Sequence, residues 1–247
     1  MSNRNRGTGD QKKETSAANS KAQEKGGLGH WLWENGLSLV MFGLFLLALT
    51  GQAVTGYNTY NDDRQDHNKP QISYGDYLTS GHFIEATFEN WESEFLQIGM
   101  YVLLTVFLRQ KGSSESKALD EPEPVDADPR KAKNKNNTPW PVRQGGLILK
   151  LYENSLTLAL FGLFLMSFVL HGFGGAQVYN ESQLEHGGEA VSTLQFMTTP
   201  EFWFQSFQNW QSEFLSVAAL VVLSIFLRQR GSPESKPVAA PNSKTGD

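Results

Sequence analysis

Gly36–Val54 (GLSLVMFGLFLLALTGQAV) runs for 19 residues without a formal charge, and Leu156–Phe173 (LTLALFGLFLMSFVLHGF) runs for 18 with only His171 able to gain one. Uncharged runs of this length leave a chain few options. A helix at a protein–water boundary carries polar residues along its wet face, whereas a helix crossing a hydrocarbon layer about 30 Å thick needs about 20 apolar residues in succession. Two further uncharged runs, Phe95–Leu108 and Phe214–Leu227, hold 14 residues each. A helix of that length reaches only about 21 Å. Taken alone, each would suit the buried core of a soluble protein.

An internal repeat argues against that reading. Pairing residue n with residue n+119 sets Phe42-Gly43-Leu44-Phe45-Leu46 on Phe161-Gly162-Leu163-Phe164-Leu165, and Ser93-Glu94-Phe95-Leu96 on Ser212-Glu213-Phe214-Leu215. The register holds without a gap from Glu34/Glu153 to Lys117/Lys236, and 34 of those 84 pairs are identical. Such a match points to tandem duplication. Each copy holds one long apolar run, a polar connection and one short run. Two spans per copy return the chain to the side it started from, so both copies enter the bilayer from the same side. The expected architecture is all-α: four transmembrane helices in two helical hairpins related by a pseudo-twofold axis along the membrane normal.

Basic residues predict the orientation. Of 21 Lys and Arg, six precede the first span, nine lie between Arg109 and Lys150, and four follow from Arg228. Only Arg64 and Lys69 fall in a hairpin connection. This asymmetry places both termini and the central linker in the cytoplasm. Arg109, Lys111, Arg228 and Arg230 then anchor the inner boundary. The expected order is a disordered tail at 1–29, hairpin repeat 1 at 30–117 (spans about 34–56 and 89–109), a linker at 118–148, repeat 2 at 149–236 (spans about 153–175 and 208–228), and a tail at 237–247. The linker stretch DEPEPVDADPRKAKNKNN is rich in proline and like-charge blocks, which predicts disorder. Its basic part suits anionic lipid better than nucleic acid.

The short spans extend beyond their apolar runs. Thr199-Pro200-Glu201 is a helix start, with an N-cap, a proline in the first turn and an acid at the positive helix end. The first copy has Ser80-Gly81-His82 there. Inside the second helix of each copy lie polar residues at helical spacing: Asn90, Glu94, Gln97, then Tyr101 and Thr105 in one, and Asn209, Glu213, Ser216 and Ser224 in the other. Glu94 and Glu213 read in two ways. A carboxylate in hydrocarbon is costly, on the order of 2.5–3.5 kcal/mol at the midplane, so such a pair suggests a proton or cation site. Near the boundary, the same residues are interfacial groups solvated by lipid headgroups.

Other repeated residues read structurally. Glu34 and Glu153 are expected to open the first span of each copy as acids at a helix N-terminus. Gly43 and Gly162 suggest close helix packing. Tyr60, Asn61 and His67 recur as Tyr179, Asn180 and His186 in the outer connections. Their spacing fits no zinc pattern, and a hydrogen-bonded loop cap is expected of them. His171 stands opposite Gln52, and one unduplicated histidine does not make a haem pair.

The paired NGLSLVMFGLFLLALTGQ, YN…H, NWESEFL and FLRQKGSxESK motifs resemble an uncharacterised family of bacterial membrane proteins classed as a domain of unknown function. The resemblance spans about residues 30–117 and 149–236 and implies an inner-membrane protein, multi-pass, with no activity attached. Without cysteine, a nucleophile–base pairing or a phosphate loop, an enzyme is not expected, nor is a cofactor or a bound metal. The expected role is a structural or interaction component of the cell envelope, with lipid and a homo-oligomer or membrane-protein partner around it. The alternative is a small transporter or channel for protons or cations using the paired glutamates.

Overall fold

The computed structural model describes residues 27–133, 135 and 137–246, so most of the expected amino-terminal tail lies outside the described residues. The chain divides into two compact units, one ending at Gln71 and one beginning at Ile72.

The first unit holds α1 (Leu28–Glu34) and α2 (Gly36–Asp66). Asn35 separates them: its side-chain amide donates to Trp31 O at 2.8 Å and caps α1. Glu34 therefore closes a short helix and pairs with His30 Nε2 at 3.0 Å, and does not open the span as the sequence suggested. At 31 residues α2 is about 46 Å long, well past the expected end near residue 56. Nothing in its polar extension forbids helix, and it stops only where Asn68 takes a left-handed φ of 55° after the C-cap His67.

The second unit holds α3 (Tyr74–Leu78), α4 (Gly81–Phe107), α5 (Trp140–Gln144), α6 (Gly146–Glu153), α7 (Ser155–Glu185), α8 (Thr193–Phe196) and α9 (Pro200–Phe226). Every long helix has its counterpart 119 residues on, with the same bounds: α2 with α7 and α4 with α9. The starts are cut by matching caps. Ser80 Oγ accepts from Phe83 N and Thr199 Oγ1 from Phe202 N, so the first copy needs no proline to begin its helix. Glu153 ends α6 at Asn154, as Glu34 ends α1.

The tightest helix pair joins the two halves of the sequence. Helices α4 and α7 run antiparallel, with Gly81 against Gly174 and Gln177 near one end, and Gly99 against Leu160 and Phe161 near the other. A Cβ at Gly174 would lie 2.5 Å from Glu85 N and 2.9 Å from Gly81 O, so only glycine permits this approach. Gly43 and Gly162, the expected packing glycines, have nothing within 4 Å of their Cβ positions. Helix α9 lies parallel to α4: Glu85 meets Gln205, Glu92 meets Trp210, and Gln97 meets Ser216. Its contact with α7 is aromatic, through Phe168–Phe202 and Phe164–Trp210 ring pairs at 5.2 and 6.3 Å.

Among the described residues three helices, α2, α7 and α9, are long and apolar enough to cross a membrane. Helix α4 equals α9 in length, but Glu85, Glu89, Glu92 and Glu94 crowd its first half and make it less apolar. The distribution of side chains inverts that of a water-soluble bundle. Leu165, Val169, Leu215 and Val222 are exposed, while Glu92, Ser93, Ser167, His171 and Ser206 are buried. Apolar surface turned outward suits lipid.

Beyond Phe107 and Phe226 the chain leaves helix through extended Leu108 and Leu227. Ser113 Oγ and Ser224 Oγ lie 2.7 Å apart, and Thr245 Oγ1 accepts from Gly112 N at 2.8 Å. Lys236 is 1% exposed and donates to the carbonyls of Gly112, Ile225, Asn242 and Lys244. Residues 237–246, read from the sequence as a free tail, thus lie across this end of the α4–α9 pair. The linker carries 3-10 turns at Pro124–Asp126 and Pro129–Ala132, and Lys117 Nζ pairs with Asp126 at 2.5 Å.

Candidate functional site

The buried polar centre is built on three helices. On α4, Glu85, Glu89 and Glu92 are spaced by four and three, one helical stripe. Helix α7 contributes His171 and α9 contributes Gln205 and Trp210. His171 is fully buried, with Nδ1 at 2.8 Å from Glu92 Oε2 and Nε2 at 3.2 Å from Gln205 Oε1. Its ring stacks on Phe202 at 4.8 Å. The Trp210 indole donates to Glu92 Oε1 at 2.8 Å, and Glu89 Oε2 stands 4.0 Å from His171 Nε2. The Gln205 amide donates through Nε2 to Glu85 Oε1 at 2.9 Å.

Donor and acceptor logic assigns the protons. Gln205 presents its nitrogen to Glu85, so its oxygen faces His171 and accepts from Nε2–H. Glu92 already accepts from Trp210, and its other oxygen shares one proton with His171 Nδ1. That proton can sit on the imidazole or on the carboxyl with every hydrogen bond kept. A half-turn of the Gln205 amide, together with relocation of one proton from His171 Nε2 to Glu85, gives a second satisfied state. The NH2 group then donates to a bare Nε2, and the amide oxygen accepts from a protonated Glu85. One proton has moved from His171 to Glu85, and the total is unchanged. Removing either member of the Glu92–His171 pair would strand a buried charge, which makes the pair costly to break.

Glu85, 9% exposed, opens onto a cavity of about 370 Å³ lined also by Gly175, Val178, Tyr179, Ser182, Gln183, Phe196, Glu201 and Gln205. Glycine at 175 is required there, because a Cβ would lie 2.6 Å from the Phe196 ring and 3.1 Å from Glu85 Oε1.

The residues singled out from the sequence lie mostly beside this centre. Gln97 Nε2 donates to Ser216 Oγ at 3.4 Å, joining equivalent positions of the two halves. Asn90 and Asn209 turn back onto their own helices, donating to Ala86 O and Gln205 O. Glu94 is exposed and Glu213 half-buried, and neither carboxylate takes a hydrogen bond among the described residues. Among the connection residues, Asn180 fixes the loop by exchanging two 2.8 Å bonds with the Val191 backbone. Tyr179 packs on Phe196 with centroids 5.4 Å apart and lines the cavity. His67 and His186 each set Nδ1 against a carbonyl of their own helix, Asp63 O and Ser182 O. Asn61 is buried, and the Arg64 guanidinium lies 5.7 Å from the Tyr60 ring centroid. At the basic end, Arg109 and Arg228 cover the last carbonyls of α4 and α9, and Arg228 reaches on to Ala240 O and Asn242. Lys111 and Arg230 are exposed.

Sequence reasoning missed Glu85, Glu89, Glu92, Gln205 and Trp210 and set His171 aside. The readable signal was where the halves differ. At the positions 119 residues away, His171 faces Gln52, Glu92 faces Gln211, Glu89 faces Gln208 and Glu85 faces Phe204. The titratable set occurs once.

Residues 28–247 match the family model described as Domain of unknown function (DUF6766). No curated protein and no solved structure matches the chain.

Proposed function

The chain belongs to this family of unknown function, and on that footing we propose that it is a duplicated, four-span inner-membrane protein that moves a proton or small cation through its polar core. Both termini face the cytoplasm, and the cavity beside Glu85 faces outward. One observation carries this reading: a buried His171–Glu92 pair, linked through Gln205 to a cavity carboxylate, present in only one half of a repeated chain. A packing role would give both halves the same reason to keep such groups. The matching helix bounds and the Gln97–Ser216 contact between equivalent residues support duplication about an axis parallel to α4 and α9. Nineteen of 21 basic residues on one side support the orientation. Helix α4 serves as the fourth span because Glu85 and Glu92 turn toward α7 and α9, away from lipid, while Glu94 alone stays exposed.

Proteoliposomes loaded with a pH-sensitive dye and driven by a potassium diffusion potential test this. Wild-type protein should acidify the lumen, and Glu92→Gln or His171→Gln should slow that at least tenfold. Equal rates in wild type and variants, or no flux above empty liposomes, would remove the proposal. Alkaline phosphatase fusions at residues 70 and 125 test the orientation, with activity expected only at 70.

A structural or interaction role in the envelope is the second reading. The hydrogen-bonded closure around Lys236 favours it, since main-chain carbonyls surround that ammonium. A wild-type protein that carries no flux but crosslinks to one stoichiometric membrane partner would put this reading first.

A further inference from the structure

The cavity beside Glu85 carries more information than a proton path requires. Its walls pair two carboxylates, Glu85 and Glu201, with two aromatic rings, Tyr179 and Phe196, and an amide, Gln205. Among the described residues its lining contains no lysine or arginine. Glu85 is nine-tenths buried and accepts one hydrogen bond, at Oε1 from Gln205. Its second oxygen has no hydrogen-bond partner among the described residues. That oxygen stays accessible from the cavity while the rest of the side chain is buried, so a donor entering the cavity meets an open acceptor. Aromatic faces add attraction for a cation that has shed its water. The volume, about 370 Å³, sits at the low end for small-molecule sites.

A metal ion fits this lining poorly. Among the described residues no group of three or more His, Asp or Glu could hold one, and hard cations take six or more oxygen ligands. An alkylammonium ion fits better. Its N–H groups can donate to Glu85 Oε2 and to Glu201, while its carbon chain lies against Tyr179, Phe196 and Val178. Resting on the cation-handling reading above, we propose that this cavity binds a small organic ammonium ion, with Glu85 as its counter-ion. Gln205 touches both the Glu85 carboxylate and His171, so an ammonium seated at Glu85 holds that carboxylate ionised and keeps the relayed proton on the His171 side.

The test uses the full chain in lipid nanodiscs and radiolabelled ethylammonium and butylammonium. Wild-type protein should bind both saturably at one site, unaffected by a tenfold excess of sodium or potassium. Glu85→Gln keeps a partner for Gln205 and should weaken binding at least tenfold. Ser182→Phe, at an exposed wall position, should fill the cavity and do the same without touching the carboxylate. Absence of saturable binding to wild type would overturn the proposal, as would equal binding by both variants or full competition by sodium. Failure here is separable from failure of the proposed function. Ethylammonium binding that survives His171→Gln without any proton flux supports the cavity and sinks the flux. Flux lost in His171→Gln with no ammonium binding does the reverse.

Discussion

At the loop end of the α4–α9 pair the buried polar atoms belong to side chains: Glu85, Glu92, His171 and Gln205. At the opposite end Lys236 is buried among main-chain carbonyls of Gly112, Ile225, Asn242 and Lys244. Both ends take polar groups away from solvent, but with different consequences. Carboxylate, imidazole and amide groups can change protonation or turn over while remaining paired. Carbonyls cannot titrate, so none of the groups that surround this ammonium can take its proton. One end is equipped for exchange and the other for holding two halves of the chain together.

Substitutions can break this contrast in a graded way. The largest effect is expected from His171→Leu, which leaves Glu92 buried with only Trp210. Losing one partner of a buried pair costs about 3–5 kcal/mol, read as a fall in thermal midpoint in detergent. Adding Glu92→Gln to that variant should recover most of the loss, and a double variant as unstable as the single one would argue against a charged pair. Gly174→Ala comes next. Its methyl would meet the α4 backbone at Glu85 N, and overpacking costs about 1–3 kcal/mol. Gly162→Ala, with open space around it, should be neutral in the same measurement. Lys236→Met is comparable or smaller, about 1–3 kcal/mol for carbonyls left without a donor, and should leave proton flux intact. Equal flux defects in Lys236→Met and His171→Gln would erase the distinction between the ends.

Much of this architecture was legible in the sequence because it follows from simple constraints. Uncharged runs and the 119-residue repeat located all four long helices, and Thr199-Pro200 marked a helix start that the structure keeps. Helix ends were less readable. A run of apolar residues reports where lipid would be, whereas α2 and α7 continue through Asp66 and Glu185 until a left-handed residue at Asn68 and Gly187 stops them. The polar centre was misplaced by a rotation about α4. Asn90, Glu94 and Gln97 form a stripe, but only Gln97 is buried. The face that packs on α7 carries Glu85 and Glu92. Periodicity identifies stripes but does not say which one meets a neighbour. The Gly81–Gly174 approach that decides it lies 93 residues apart in the chain.

Gln205 sets a character for anything that passes between His171 and Glu85. An amide has one donating and one accepting end, so while its nitrogen serves Glu85 its oxygen serves His171, and a half-turn exchanges the two. Under the proposed function a proton crosses Gln205 only with both that turn and a transient imidic acid form, where a continuous file of water needs neither. On the proposed reading the relay is slow and resists leakage.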